Sequence, residues 1–187
     1  MTMDTQNENI KKLIKQLLIE VGEDVKRDGL IETPHRVAKY YSEVLKGYSM
    51  NIEDLIKTFP SESTDELVII KNISFFSLCE HHMVPFFGTV DIGYLPSDKI
   101  MGLSKFSRIV TMFALRLQTQ ERLNQQVLEA VVKYLNPKGC VVRIRASHLC
   151  IAMRGVKDIN SETVTIKSDG LLKENLEQMK IFLRQID

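Results

Sequence analysis

The sequence predicts an α+β fold built on antiparallel β-hairpins, and three observations carry that prediction. Candidate elements follow in the order helix, helix, strand, strand, helix, helix, strand, strand, helix, where a parallel sheet would need alternating β-α units. Hydrophobic spacing switches from the helical period to alternation twice along the chain, each time over a segment rich in β-branched residues. Neither a G-x-G-x-x-G nor a G-x-x-x-x-G-K motif is present, so the usual phosphate-binding loops of doubly wound folds are missing.

Taken in order, Thr5 and Glu8 form a capping box ahead of Ile10, Leu13, Ile14, Leu17, Leu18 and Val21, a first amphipathic helix. Asp28-Gly29 marks a turn; Thr33 then caps a second helix with Pro34 in its first position, a stripe of Val37, Tyr40, Tyr41, Val44 and Leu45, and Gly47 as its stop. The spacing breaks down from Asn51 to Asp65, where Pro60 and several hydroxyl residues cluster, and a boundary falls there between a helical segment (residues 1–60) and a main domain (61–187). Leu67–Ile73 and Phe86–Leu95 read as strands flanking a loop from Cys79 to Pro85. Ser104 caps a third helix and Thr119 a fourth, ended by Pro137 and Gly139. Cys140–Met153 reads as a long strand, Thr163–Ile166 as a short one, and Leu171–Ile186 as a closing helix.

Composition narrows the function. The 25 Lys and Arg against 24 Asp and Glu leave no global field to draw in nucleic acid or an anionic membrane, so any anion site must be a local cluster. The first residues lack the basic start and apolar stretch of an export signal, and no apolar run is long enough for a membrane span. With three cysteines, a reducing cytoplasmic compartment and free thiols are the expectation.

Three of the four histidines lie next to two of the three cysteines. Cys79-Glu80-His81-His82 sets a thiolate and an imidazole three residues apart, so one turn can present both to a zinc ion. On an extended strand His148 and Cys150 share a face about 7 Å apart, so one can ligate while the other stands beside the metal. Cys140 shares that face but, ten residues away, lies roughly 33 Å along the strand, and it reads as a small buried hydrophobe. The set Cys79, His82 and Cys150 leaves a fourth position for water, whereas His148 or His81 as a fourth ligand would close the shell. A plain disulfide, or two buried thiols beside a polar loop, is the bland alternative. Arg36 and Lys39 on the second helix, Lys105 and Arg108 on the third, and Arg154 supply cations for a polyphosphate, or else solvated faces. Glu121, after Gln120, either favours its own helix N-terminus or accepts two N–H bonds from a guanine edge.

The motifs Cys79-Glu80-His81-His82, Gly102-Leu103-Ser104-Lys105, Gln118-x-Gln120-Glu121-Arg122 and His148-Leu149-Cys150, in that order, closely resemble GTP cyclohydrolase I. Thr33-Pro34-His35-Arg36-Val37-Ala38-Lys39 and Met153-Arg154-Gly155-Val156 match as well, and the similarity runs from about residue 10 onward. The resemblance implies a tunnel-type fold, two antiparallel hairpins with a helix pair, in pentamers stacked as a homodecamer. It also implies hydrolytic opening of the GTP imidazole ring, release of C8 as formate and closure to 7,8-dihydroneopterin triphosphate. In those terms Cys79, His82 and Cys150 hold Zn2+, and His148 exchanges protons with the purine nitrogens. His81 acts near the ribose with Ser104, and Glu121, aided by Gln120, anchors guanine. Lys105, Arg108 and Arg154 grip the triphosphate, with Arg36 and Lys39 supplied by a neighbouring subunit. The segment Ile166-Lys167-Ser168-Asp169 departs from the small hydroxyl residues usual there. Two rivals stand against this. A nitrile reductase on the same fold resembles the chain around Lys105 but uses a nucleophilic cysteine and no zinc. A zinc-stabilised binding module would use His148 as its fourth ligand.

Overall fold

The computed structural model describes residues 3–62 and 66–186. They fall into two units, Met1–Lys46 and Gly47–Asp187.

In the first unit, α1 (Met3–Glu20) and α2 (Thr33–Val44) pack as a helical pair. Helix α1 begins earlier than the capping box implies, so Thr5 and Glu8 lie within it and Glu8 accepts from Lys11 at 2.7 Å one turn on. It ends where Gly22 takes φ 88°, a left-handed turn that lets Glu23 N–H close on Leu18 O at 2.9 Å. Thr33 is the first residue of α2 and not its cap, a shift of one place. Glu32 occupies the cap position without a side-chain bond, and the Thr33 hydroxyl donates to Gly29 O. Gly47 lies beyond the helix stop, in a 3-10 turn over Lys46–Tyr48. Its reason is close approach, since a Cβ there would sit 2.2 Å from Met112 O.

The second unit is a five-stranded sheet with helices on it. Its strands are β2 (Val68–Cys79), β3 (Pro85–Leu95), β5 (Leu117–Gln118), β6 (Gly139–His148) and β7 (Thr163–Gly170), in the order β5-β2-β3-β6-β7. Two antiparallel hairpin-like pairs, β2/β3 and β6/β7, are joined side by side through β3 and β6; only β5 runs parallel to its neighbour. A separate antiparallel pair joins β1 (Thr58–Pro60), inside what the sequence reads as connector, to β4 (Lys99–Met101), which follows β3. Ser63, Thr64 and Asp65 of that connector lie outside the described residues.

Alternation explains the core. Phe75, Phe86, Val90, Ile92 and Ile144 turn one face of the sheet toward Phe106, Ile109 and Val110 of α3 (Leu103–Ala114) and Leu123, Val127 and Val131 of α4 (Gln120–Leu135). At about 25 cal/mol per Å² of apolar area removed from water, this layer is the main source of stability. Thr119 caps α4 as expected, accepting from Arg122 N–H at 3.2 Å, and Asn136 ends it at φ 46°. Gly102, not Ser104, takes the cap position of α3.

Strand β2 extends six residues past the expected Ile73, because a left-handed Asn72 (φ 57°) and a register shift between Ile70 and Ile73 restart the alternation. Strand β6 stops at His148, five residues short of Met153. Its partner β3 begins at Pro85, and the last pair is Phe86 with His148, so no ladder remains and the chain turns into α5 (Leu149–Ala152). Cys150 and Arg154 therefore do not share a strand face with His148. The closing helix is two, α6 (Leu171–Glu174) and α7 (Leu176–Ile186), broken at Asn175, whose side chain accepts from the N–H groups of Glu177 and Gln178.

Helix α7 covers part of the second sheet face, with Phe182 and Ile186 against Leu95, Val141 and Leu172. A buried ion pair lies in that layer: Arg143 Nε donates to Asp91 Oδ2 at 3.1 Å, Asp91 Oδ1 accepts from Asn72 N–H, and Arg143 Nη2 reaches Ile186 O. Removing one partner strands the other charge. Asp91→Ala is expected to cost about 3–5 kcal/mol, read as a lower urea midpoint.

Candidate active site

Cys79 ends β2 and is buried. The chain reverses over the next five residues, with Met83 at φ 55°, Met83 N–H on Cys79 O and Cys79 N–H on Val84 O, both 2.8 Å. This tight loop holds His81 and His82 in the open, their rings edge to face at 6.5 Å. His81 Nδ1 stands 3.7 Å from Cys79 Sγ, while His82 Nε2 accepts from Arg154 Nη1 at 3.0 Å.

Cys150, on the first turn of α5, brings its thiol to that of Cys79. Burial and then the neighbouring Cys79 thiol push its pKa up. Cys140, fully buried in the core between the sheet and the helix pair, has its thiol raised by desolvation and is inert. All three cysteines are free. Among the described residues, no three His, Cys, Asp or Glu side chains are gathered closely enough to hold a metal as they stand. The donor chemistry nevertheless fits zinc. Two thiols meet, and two imidazoles, His81 and His82, follow one of them by two and three residues.

His148 closes β6 half-buried. Its ring stacks on Phe86, its cross-strand partner, at 4.8 Å and 6°. Its Nε2 lies 2.8 Å from Gln120 Oε1. Burial holds its pKa below the usual imidazole value, against a smaller opposing pull from the Glu121 carboxylate, which favours the neutral ring at pH 7. Glu121 itself is exposed.

The structure thus brings Cys79, His81, His82, His148, Cys150, Arg154, Gln120 and Glu121 to one end of the sheet, where β2 and β6 stop and α4 begins. Ser104 and Arg108 are exposed and Lys105 half-buried on the first turns of α3. Among the described residues no hydrogen bond joins those three to the cluster. Arg36 and Lys39 lie exposed on α2, in the first unit.

Sequence reasoning missed one pair. Arg122 on α4 grips both carboxylate oxygens of Glu80, with Nη2 on Oε1 at 2.9 Å, and Glu80 N–H bonds Gln118 O at 3.0 Å. The Cys79–His82 loop is thereby tied to the start of α4. The guanidinium holds Glu80's carboxyl below the ordinary carboxylate range. The residues sit inside two matched motifs, yet spacing gives no sign that they meet, since they are 42 positions apart.

Paired thiols, exposed imidazoles, a half-buried histidine biased toward its neutral form and an exposed carboxylate thus share one end of the sheet, a set of groups suited to acid–base chemistry. A family model described as GTP cyclohydrolase I matches residues 10–187. A GTP cyclohydrolase 1 of Chlorobium chlorochromatii is 46% identical over 96% of this chain and 81% of the relative. One of Streptococcus thermophilus is 45% identical over 94% and 95%, and one of Gloeobacter violaceus 47% identical over 91% and 80%. The chain belongs to the GTP cyclohydrolase I family.

Proposed function

We propose that this chain opens the imidazole ring of GTP, releases C8 as formate and closes the product to 7,8-dihydroneopterin triphosphate, with Zn2+ held by Cys79, His82 and Cys150. The observation that carries the reading is the meeting of the Cys79 and Cys150 thiols next to His148. When bound, zinc supplies Lewis-acid polarisation and activation of water at neutral pH. The protein's own groups do the rest. His148, neutral by burial, takes up and returns protons at the purine ring nitrogens. His81 acts at the ribose with Ser104. The Glu121 carboxylate accepts N–H bonds from the guanine edge, and Lys105, Arg108 and Arg154 bind the triphosphate. Incubation with GTP should yield a pterin chromophore and formate in equal amounts. Formate without pterin, or neither, would overturn the reaction.

The contact of His81 with Cys79 supports a second ligand choice, in which His81 replaces His82. His82→Ala is expected to lose zinc and His81→Ala to keep it, measured by elemental analysis of dialysed protein. The reverse pattern exchanges their roles.

The family resemblance supports a tunnel-type fold for residues 61–187, preceded by the helical segment 1–60, in a cytoplasmic decamer of two pentamers. Arg36 and Lys39 then serve a neighbour's triphosphate. Light scattering should report a species about ten times the 21.5 kDa chain. A fully active monomer removes Arg36 and Lys39 from the site.

A further inference from the structure

We infer that Gln120 is a positioning residue for His148, fixing the imidazole in its Nε2–H form, and that it does not read guanine; the catalytic half of this rests on the proton-transfer role proposed for His148.

The assignment follows from hydrogen-bond bookkeeping. Gln120 Nε2 lies 3.1 Å from Ile144 O, 2.9 Å from Thr163 O and 3.2 Å from Thr165 Oγ1. Backbone carbonyls only accept, so the atom facing them must be the NH2 group; the flipped amide would press oxygen against two oxygens. The amide oxygen therefore faces His148 Nε2 at 2.8 Å, and since it carries no hydrogen, Nε2 must donate. A neutral imidazole has one N–H. Nδ1 is left with its lone pair, so the ring nitrogen available to a substrate proton is chosen before substrate arrives.

The rest of the surroundings hold this arrangement. Phe86 fixes the plane of the ring. Asn124, one turn along α4, donates to both Thr165 O and Thr165 Oγ1 at 3.0 Å, anchoring one of the acceptors that orient the Gln120 amide. Gln120 is only 1% exposed, and both hydrogens of its NH2 are committed, which leaves no donor for a base edge. Glu121 follows it on the helix, about 100° around the axis, and is exposed. The adjacent Gln-Glu pair, which in sequence suggests two contacts to one base, is divided: one side chain faces inward to the histidine and one outward.

The test is the 15N solid-state spectrum of full-length, zinc-loaded protein labelled at histidine, at a pH where the ring is neutral, with His148 signals identified by their loss in His148→Ala. Wild type should show His148 protonated at Nε2 and bare at Nδ1; the opposite tautomer overturns the inference without any variant at Gln120. Gln120→Met removes the acceptor and should give a mixture of tautomers, with kcat lower by about tenfold or more and the KM for GTP within about threefold. If Gln120→Met raises KM about tenfold with tautomer and kcat unchanged, Gln120 is a guanine contact and the inference fails. Should Gln120→Met not fold, the wild-type spectrum decides. Should His148→Ala turn over GTP normally, the catalytic role of His148 falls while the tautomer measurement still judges Gln120.

Discussion

Replacing Cys79 or Cys150 with serine is expected to remove zinc and GTP turnover together, by about a thousandfold or more in rate, because several kcal/mol of polarisation at the reacting centre go with the metal. Serine is nearly isosteric, but its hydroxyl remains protonated at neutral pH and is a poor donor to zinc. The two thiols meet at the ends of different elements, one on β2 and one on α5, so each substitution removes half of a sulfur pair that no other residue can restore. Cys140→Ala is the control. Its sulfur sits in the core among Tyr94 and the residues of the helix pair, and its loss should reduce stability modestly while zinc and turnover remain. Metal content and pterin formation measured on the same preparations decide. If all three variants behave alike, the assignment of ligands is wrong.

His148→Ala should keep its zinc and lose turnover by about a hundredfold or more, the usual cost of a missing acid–base group. The ring stands on Phe86 and against Gln120, and among the described residues no hydrogen bond joins it to either sulfur, so its removal is expected to leave the thiol pair in place. GTP affinity should survive because Glu121 and the cations are untouched. Loss of zinc as complete as in Cys150→Ser would make His148 a fourth ligand, close the coordination shell and end the hydrolytic reading.

Much of this fold is legible from local pattern. The helix pair α3 and α4 announces itself through period and the Thr119 cap, and β3 through alternation bounded by Pro85 and Pro96. What is not legible depends on partners. Nothing local stops β6 at His148; the strand ends because beyond Phe86 its partner β3 offers only Pro85, which has no N–H to donate to a ladder. Likewise the strand expected to end at Ile73 runs on to Cys79, because the left-handed Asn72, its N–H held by the buried Asp91, restarts the alternation. The Asn175 break shows the reverse case, a polar side chain that could have stayed solvated but instead caps a new helix. At the site, the cysteines and histidines are visible by their clustering. The inward aim of Gln120 and the grip of Arg122 on Glu80 are not, because each depends on how α4 is rotated against the sheet.

The end of β6 has a consequence for how faults in this protein would sort. His148 is held by the ladder, whereas Cys150, two positions on, is held by a single helical turn closed by Met153 N–H on Leu149 O at 3.0 Å. A lesion that unwinds this turn, such as proline at Ile151, shifts a sulfur and leaves the imidazole seated. A lesion in β3 displaces the imidazole first. Inherited or engineered defects in the two neighbouring segments should therefore divide into proteins that fail to retain metal and proteins that retain it but turn over slowly, although the two residues are almost adjacent in the chain.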